Sequence, residues 1–333
     1  MTTTNTVTRF RGGGEIELEA RSLGSVLAGE VRLRVDVCAL CGSDKRLLKN
    51  GSSVVPGHEI GGAVVDRGSG CDLPEGTRGI VYIPEFCAQC RSCRRGETNR
   101  CMSISALVGW QRDGGFATYV DIPQRQLIPV PDDLSIEVAV LGLDTVGTAA
   151  HGLRMGLQTQ AQLPERTLVI GCGPLGLGVL TVAQELGIKN VDVTDPHPER
   201  AAAGKRLGGN PVSEPAADDP YDLVIEGSGA RSARQLAQEV VVPGGAVVVL
   251  GESEEPYEMP ATPRWRRTDC FTVRSFYFPM TEVEENWRVL RSRGEALLRE
   301  LSTPMLMPEL PAAFESFVAG DLLKPFITSE ENR

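Results

Sequence analysis

Short apolar runs with β-type alternation, separated by glycine and proline, fill the first 140 residues of the chain. They lie at Val31–Val37, Gly62–Asp66, Gly79–Ile83 and Phe116–Val120. Runs of this length between turn residues predict an irregular, mostly antiparallel β domain. The opening segment, MTTTNTVTRFRGGG, is polar and lacks the apolar stretch of a secretory signal. We therefore expect it to be a short, partly disordered lead-in.

The pattern changes after about Asp144, where strand-length apolar runs begin to alternate with helical periodicity. The strand patterns are Thr167–Gly171, Asn190–Thr194, Tyr221–Glu226, Ala246–Gly251 and Phe271–Phe278, and the helical patterns are Ala149–Gly156, Leu175–Leu186 and Ser232–Val240. Alternating strands and helices predict βαβ units and a parallel sheet, so the fold class is α/β. A charged helical stretch at Glu282–Leu301 and a strand at Phe326–Thr328 follow.

The charge of the chain narrows its range of partners. Lys and Arg total 34 against 44 Asp and Glu, which gives a net charge of −10. An acidic surface disfavours nucleic acid, because phosphate neutralisation by basic residues dominates such binding. It also disfavours an anionic membrane surface. No run approaches the roughly 18 apolar residues that a membrane helix needs, so we expect neither partner.

Nine cysteines and only three histidines are present. An odd cysteine count, without an export signal, argues against a disulfide framework. It favours a reducing, cytoplasmic compartment in which clustered thiols bind metal. The histidine count excludes a histidine-rich metal site.

Four of the cysteines form a run with metal-ligand spacing, Cys87-x2-Cys90-x2-Cys93-x7-Cys101. Four thiolates complete a tetrahedral zinc shell, and a shell closed by protein is structural. The bacterial iron–sulfur run ends with a gap of three residues instead. Four free thiols would invite oxidation. A zinc module for nucleic acid is disfavoured by the acidic charge.

A second, open metal site is suggested by Cys41 in CGSD and His58 in PGHE. A cysteine and a histidine from separate loops supply two of the three protein ligands of a catalytic zinc. Ordinary packing is the alternative interpretation of each residue taken alone. The four-cysteine run favours the metal interpretation for the pair.

The segment Gly171-Cys172-Gly173-Pro174-Leu175-Gly176 follows a predicted strand and opens a predicted helix. In this context GxGxxG indicates a dinucleotide site, because its glycines permit a tight turn and close approach of a pyrophosphate. The residues of the turn assigned to the cofactor are Gly171, Gly173, Pro174, Leu175 and Gly176.

Asp195 ends the next predicted strand, about 20 residues further on, where a carboxylate binds ribose hydroxyls. It would repel a 2′-phosphate, so NAD is favoured over NADP. Arg200 could reach the same area and soften this preference, or it could be a solvated helix residue.

The order CGSD, GHE, CxxCxxCx7C, GxGxxG and a following acid resembles the zinc-containing alcohol dehydrogenases of the medium-chain dehydrogenase/reductase superfamily. The resemblance extends from about Val31 to Thr328. It implies a GroES-like, mostly antiparallel catalytic domain over residues 1–145 and 279–333, with a zinc lobe at 87–101. It also implies a Rossmann doubly wound NAD-binding domain over residues 146–278.

The resemblance implies two zinc ions per chain, one structural and one catalytic. The catalytic ligands would be Cys41, His58 and an acid, which the stretch LGLDTVGTAAHGL places at Asp144. Asp144 as a helix N-cap is the alternative. Glu59 would sit beside this metal and be able to exchange into its shell. Together with a carboxylate ligand, Glu59 points to the polyol and cyclitol branch.

Further roles follow from the same resemblance. Ser43 would relay the proton released by the alcohol, and Ser228 would lie in a turn that lines the nicotinamide. Arg46 occupies a position where many members have the histidine that ends the relay. Arginine keeps its proton, so the relay must end on ribose, water or another base. Lys45 and Arg46 either favour a polar or anionic substrate or belong to a solvated loop.

The implied reaction is reversible hydride transfer between NAD and a small-molecule secondary alcohol, polyol or cyclitol, with the ketone as product. Aldehyde dismutation and oxidation of a thiol adduct are alternatives that use the same zinc site. A non-catalytic, zinc-stabilised dinucleotide-binding sensor or scaffold is the alternative from another class. We expect a homodimer or homotetramer, with Phe271–Phe278 as a candidate dimer edge.

Overall fold

The computed structural model describes residues 4–259 and 262–328. The strands are β1 (Thr4–Gly12), β2 (Glu15–Ser22), β3 (Glu30–Ala39), β4 (Glu59–Arg67), β5 (Arg78–Val81), β6 (Tyr119–Pro123), β7 (Leu127–Pro129), β8 (Thr167–Ile170), β9 (Val191–Thr194), β10 (Asn210–Pro211), β11 (Tyr221–Glu226), β12 (Val241–Val249), β13 (Phe271–Arg274), β14 (Ser302–Leu306) and β15 (Lys324–Thr328). The α-helices are α1 (Asp44–Asn50), α2 (Arg91–Arg94), α3 (Ile136–Val140), α4 (Ala149–Leu157), α5 (Pro174–Glu185), α6 (Pro198–Arg206), α7 (Arg231–Glu239), α8 (Val283–Leu301) and α9 (Leu310–Ala319).

Two compact units make up the described chain. The first contains residues 4–143 and 301–328, and the second contains residues 144–259 and 262–300. Residues 279–300, which the sequence assigned to the first domain, lie in the second unit. Within that unit Arg293 of α8 donates a hydrogen bond of 2.7 Å to Gln184, and Arg206 pairs with Glu300 at 2.8 Å. These contacts hold α8 on the helices α5 and α6.

The first unit is built on a seven-stranded sheet in the order β14-β15-β3-β4-β5-β7, with β6 also paired to β3. The strand pairs are antiparallel except for β14 with β15. Most residues of β3 are buried, and Val31, Leu33 and Val35 pack with side chains of the neighbouring strands in one apolar core. The predicted antiparallel β domain is confirmed.

The predicted lead-in at the N-terminus is wrong for residues 4–14. Strands β1 and β2 form an antiparallel hairpin, and Thr8 N donates to Phe116 O at 2.9 Å. Val7 and Phe10 are 1% exposed, and the Phe10 ring packs edge-on against Phe314 at 5.3 Å. Two apolar side chains thus anchor a segment that is otherwise polar. The first three residues of the lead-in lie outside the described part of the chain.

The second unit contains a six-stranded parallel sheet in the order β10-β9-β8-β11-β12-β13. This is the doubly wound Rossmann arrangement, which confirms the predicted fold. The strand order reverses between β8 and β11, so the turns after β8, β9 and β11 meet at one edge, where such sheets bind ligands. Strand β13 ends at Arg274, earlier than predicted, and Tyr277 then takes a left-handed φ of 50°.

Among the described residues, none of the helices combines the length and the apolar character that crossing a bilayer requires.

Candidate active site and metal centres

The four cysteines of the 87–101 lobe converge on one point. One ligand atom from each of Cys87, Cys90, Cys93 and Cys101 lies within 4.8 Å of the others. The Sγ atoms of Cys87 and Cys93, and those of Cys90 and Cys101, are 4.0 Å apart. A tetrahedron with Zn–S bonds of about 2.3 Å has edges of about 3.8 Å. The lobe therefore fits a closed four-thiolate zinc site.

Backbone N–H groups already favour thiolates in this lobe. Cys90 Sγ accepts from the amides of Cys93 and Met102 at 3.5 Å, which lowers the pKa of Cys90 to about 6. Cys101 Sγ accepts from the amides of Cys87 and Ser103 at 3.3 and 3.4 Å. Burial, in contrast, raises the pKa of Cys93 to about 12. A cation is therefore the group that would ionise the fourth thiol.

A second cluster contains Cys41, His58, Glu59 and Asp144, whose ligand atoms also lie within 4.8 Å of one another. His58 and Glu59 are buried, and Cys41 and Asp144 are half-buried. The register of the sheet explains part of the convergence of these ligand atoms, because Ala39 of β3 pairs with Glu59 of β4. The end of one strand and the start of its antiparallel neighbour lie side by side. One sulfur, one nitrogen and carboxylate oxygens are a donor set that zinc accepts.

Gly57 sets the position of His58. It has a φ of 94°, and a Cβ there would lie 2.8 Å from Cys38 Sγ and 2.9 Å from Phe116 N. Only glycine meets both conditions without strain. The motif PGHE therefore reflects a steric need of the turn as well as the chemistry of the histidine.

Asp44, which the sequence reasoning did not single out, lies behind two of the donors. Its Oδ1 is 3.1 Å from His58 Nδ1, and its Oδ2 accepts from Cys41 N at 3.0 Å. The side chain is fully buried. A carboxylate beside Nδ1 orients the imidazole and leaves Nε2 for a metal. The acid that ends CGSD was the available sequence signal for this role.

Lys324 is a second residue that the sequence reasoning missed. Its Nζ lies 2.5 Å from Glu59 Oε1 and 3.4 Å from Leu40 O. Both members of the ion pair are almost fully buried. Strand β15 brings Lys324 there, because Phe326 pairs with Ala39 in an antiparallel register. The pair balances one negative charge among the donors.

Asp144 begins a π-helical turn, Asp144–Thr148, and directly follows Leu143, the last residue of that segment of the first unit. Single π-turns are frequent at functional sites. Thr148, the residue before α4, has helical φ and ψ angles, so the π-helical turn that begins at Asp144 runs directly into α4. Ser43 immediately precedes α1 and makes no side-chain capping bond.

The Arg46 guanidinium lies over an aromatic ring close to the cluster. Its guanidinium carbon lies 4.6 Å from the centroid of Trp110, whose ring is 6.0 Å from the ring of His58. Backbone packing explains why the Trp110 ring lies near His58, because the backbone at Gly109 lies so close to the turn that a Cβ on Gly109 would be 2.7 Å from Gly57 O. The segment before Trp110 thus rests directly on the turn that carries His58.

The glycine-rich turn has the strand–turn–helix context that the sequence predicts, between β8 and α5. Gly171 has a φ of 95°, and a Cβ there would lie 3.0 Å from Ser228 Cβ. A Cβ on Gly176 would lie 1.8 Å from Gly171 O, whereas nothing lies within 4 Å of the Cβ position of Gly173. Helix α5 has Gly173 as its N-cap and Pro174 at the first turn, followed by the half-buried Leu175. Gly173 thus leaves open space at a helix N-terminus, where phosphate binds well.

Asp195 follows β9 and contacts this turn directly. Its Oδ2 accepts from Cys172 N at 2.8 Å, and its Oδ1 accepts from His197 N at 2.9 Å. Burial and the Asp195 charge raise the pKa of Cys172 to about 12, while Arg200 lowers it. Arg200 is half-buried, and its Nε has no hydrogen-bond partner among residues 4–259 and 262–328. It therefore lies beside the turn and is not a fully solvated residue.

Glu226 organises the third turn, after β11. Its Oε1 accepts from Ser228 N and Ser228 Oγ at 2.7 Å each and from Gly229 N at 2.8 Å. The carboxylate is fully buried. Ser228 is thereby fixed against Gly171, so the turns after β8 and β11 form one surface.

Comparison with known proteins agrees with these features. Residues 27–132 match the family described as Alcohol dehydrogenase GroES-like domain. An L-threonine 3-dehydrogenase of Chelativorans sp. (strain BNC1) is 31% identical over 73% of this chain and 75% of that protein. A sorbitol dehydrogenase of Bacillus subtilis (strain 168) is 27% identical over 74% and 75%. The solved structure of alcohol dehydrogenase TADH from Thermus sp. ATN1 has a TM-score of 0.87 at 26% identity, covering 97% of this chain and 99% of that one.

A Rossmann unit and a GroES-like unit with clustered metal donors define a zinc-type dehydrogenase. The chain belongs to the zinc-containing alcohol dehydrogenase family of the medium-chain dehydrogenase/reductase superfamily. It is an oxidoreductase that acts on the CH–OH group of a small molecule with a nicotinamide cofactor.

Proposed function

We propose that the protein is a zinc-dependent, NAD-linked dehydrogenase that oxidises a secondary alcohol in a polyol or related hydroxy compound and reduces the ketone in reverse. The observation that carries the proposal is the convergence of Cys41, His58, Glu59 and Asp144 within 4.8 Å. The similarity to proteins named for threonine and sorbitol oxidation supports a substrate with several polar groups.

The proposed content is two zinc ions per chain. Cys41, His58 and Asp144 would hold the catalytic ion and leave one position open, with Glu59 beside it. Cys87, Cys90, Cys93 and Cys101 would hold the structural ion. When bound, zinc supplies Lewis acidity to an alcohol oxygen, and NAD supplies the hydride acceptor.

The surrounding side chains have separate tasks in this proposal. Asp44 orients the His58 ring through Nδ1, and the Lys324 ammonium holds Glu59 by an ion pair with Oε1 of the glutamate. Ser43 would take the proton from the substrate hydroxyl. An arginine side chain does not act as a base in proteins, so the relay would not end on Arg46. The relay would end on the cofactor ribose or on water.

The cofactor proposal favours NAD. The Asp195 carboxylate lies at the end of β9 beside the glycine turn, where it would bind ribose hydroxyls and repel a 2′-phosphate. The half-buried Arg200 is the one nearby cation identified above, and it would allow slower use of NADP.

Two further proposals concern the setting of the enzyme. None of the nine cysteines, all of which lie in the described part of the chain, forms a disulfide, and five of them are the proposed zinc ligands, which supports a reducing, cytoplasmic environment. Strand β13 lies at the edge of its sheet with Phe271 half exposed, which supports a homodimer or homotetramer formed there.

The function is tested by following NAD reduction across a panel of secondary alcohols, polyols and cyclitols, with wild type and Cys41→Ser. We expect turnover of at least one substrate by wild type, faster with NAD than with NADP. Cys41→Ser should lose turnover and still bind NADH, because the cofactor turn lies in the other unit. Tight NADH binding by wild type without turnover of any substrate would favour the non-catalytic sensor or scaffold instead.

A further inference from the structure

A glycine outside the dinucleotide motif lies against the turn that carries Asp144. Gly178 is buried in α5, beyond Gly176, the last glycine of GxGxxG. A Cβ on Gly178 would lie 2.1 Å from Thr145 O and 3.3 Å from Ala149 Cβ. Thr145 directly follows Asp144, so α5 rests on the backbone of the π-helical turn that begins at Asp144.

The close approach explains why position 178 is a glycine. Glycine inside a helix is less favourable than alanine, so α5 itself gains nothing from it. Cβ atoms in proteins essentially never come within 3.0 Å of another heavy atom. A crowded side chain can rotate away, but the Thr145 carbonyl belongs to the backbone and moves only if the turn moves. The absence of a Cβ on Gly178 therefore permits the observed position of the turn.

Helix α5 is a fixed support, because its first turn packs equally closely on the sheet. A Cβ on Gly176 would lie 1.8 Å from Gly171 O and 3.2 Å from Val169 Cγ1 of β8. The helix is thus held against β8 at Gly176 and supports the π-helical turn at Gly178. A π-helical turn is rare and is frequently found at functional sites. The packing of α5 accordingly sets where the backbone of Asp144 lies.

We propose that Gly178 is a positioning residue for the third metal ligand, because the close approach of α5 to Thr145 holds Asp144 in place at the open metal site. The proposal rests on the proposed function, since it takes Asp144 as a ligand of the catalytic zinc. Gly178 has no side chain, so it acts only through the backbone of the turn. Residues that orient a metal ligand typically change metal affinity by about 10- to 100-fold when they are replaced.

The test measures zinc content, and zinc affinity by competition with a chelator, in wild type, Gly178→Ala and Gly156→Ala. Gly156→Ala is the matched control, because its Cβ would crowd only side chains, at 2.7 Å from Val248 and 2.9 Å from Leu223. We expect Gly178→Ala to hold the zinc of the open site about 10- to 100-fold more weakly and to keep the structural zinc. Gly156→Ala should hold both ions as tightly as wild type.

Two further readouts separate positioning of the ligand from a general loss of stability. Excess zinc should restore turnover by Gly178→Ala toward the wild-type value, which it would not do for a variant that is only destabilised. NADH affinity should stay at the wild-type value, because the glycine turn at the start of α5 is unchanged. If Gly178→Ala does not fold, Ala149→Gly replaces it in the test. This variant removes the methyl group beside Gly178, loosens the same turn, and should weaken zinc binding at the open site several-fold.

Three results would overturn the proposal while two zinc ions remain in wild type. Gly178→Ala, or Ala149→Gly in its place, could bind zinc as tightly as wild type. Gly156→Ala could lose as much zinc as Gly178→Ala, which would show a general effect of crowding. Gly178→Ala could weaken NADH and leave zinc unchanged, which would show that α5 moves and the turn does not. A single zinc ion in wild type would instead refute the proposed function, and the positioning role with it.

Discussion

Lys324 and Glu59 form a buried ion pair beside the metal donors, and this pair affects the electrostatics of the site. Their charged atoms are 2.5 Å apart, and neither side chain is more than 2% exposed. Buried ion pairs contribute little net stability, but removing one partner leaves a buried charge uncompensated. The pair is therefore best explained by its effect on Glu59 and the donors around it.

We predict that Lys324→Met destabilises the protein by about 3–5 kcal/mol and lowers turnover. The physical reason is the unpaired Glu59 carboxylate, which lies among the metal donors. Urea denaturation and NAD reduction measure the two effects. The double variant Glu59→Gln/Lys324→Met is the control and should regain much of the lost stability. A Lys324→Met protein as stable and as active as wild type would refute this account of the pair.

At the residue scale, the sequence predicts the candidate metal donors from local motifs. Cys41 and His58 lie in short motifs, and the structure brings their ligand atoms together with Glu59 and Asp144. Lys324 is 265 residues from Glu59 in the chain, and only the pairing of β15 with β3 makes them neighbours. No local pattern carries that information.

At the scale of elements, the glycines in the turn between β8 and α5 differ in whether the fold or the cofactor requires them. Gly171 combines a φ of 95° with a close approach to Ser228, whereas the Cβ position of Gly173 faces open space. The same GxGxxG motif therefore contains two glycines required by packing, Gly171 and Gly176, and one, Gly173, that the protein itself does not require.

We predict that Gly171→Ala loses about 1–3 kcal/mol of stability and also binds NADH more weakly. Gly173→Ala is the matched variant. It should keep wild-type stability and weaken NADH binding alone, because its new methyl group meets only the cofactor. Thermal unfolding and NADH fluorescence titration measure the two properties. Equal stability of the two variants, or wild-type NADH affinity in Gly173→Ala, would contradict this division.

Element boundaries show where sequence patterns are weak. Strand β12 extends from Val241 through the pair Gly244-Gly245, earlier than its apolar run indicates. The hairpin β1–β2 was missed because only Val7 and Phe10 of β1 reach the core. In both cases tertiary pairing overrides local propensity.

At the scale of the whole molecule, the order of motifs predicted both folds, but it did not predict the extent of each unit. The sequence predicts helix α8 from a charged helical stretch, and its contacts with Gln184 and Arg206 show that it lies in the second unit. The position of Trp110 beside His58 likewise depends on the close approach of Gly109 to Gly57, which the order of motifs does not show.

The most direct test of the central claim is the zinc content per chain of wild type and Asp144→Ala. We predict two zinc ions in wild type. Asp144→Ala should retain one ion, held by the four-cysteine lobe, and lose turnover, while the exposed-site control Asp132→Ala keeps two ions and full turnover. One zinc ion in wild type, or two in an inactive Asp144→Ala, would contradict the assignment of Asp144 as the third ligand of an open zinc site.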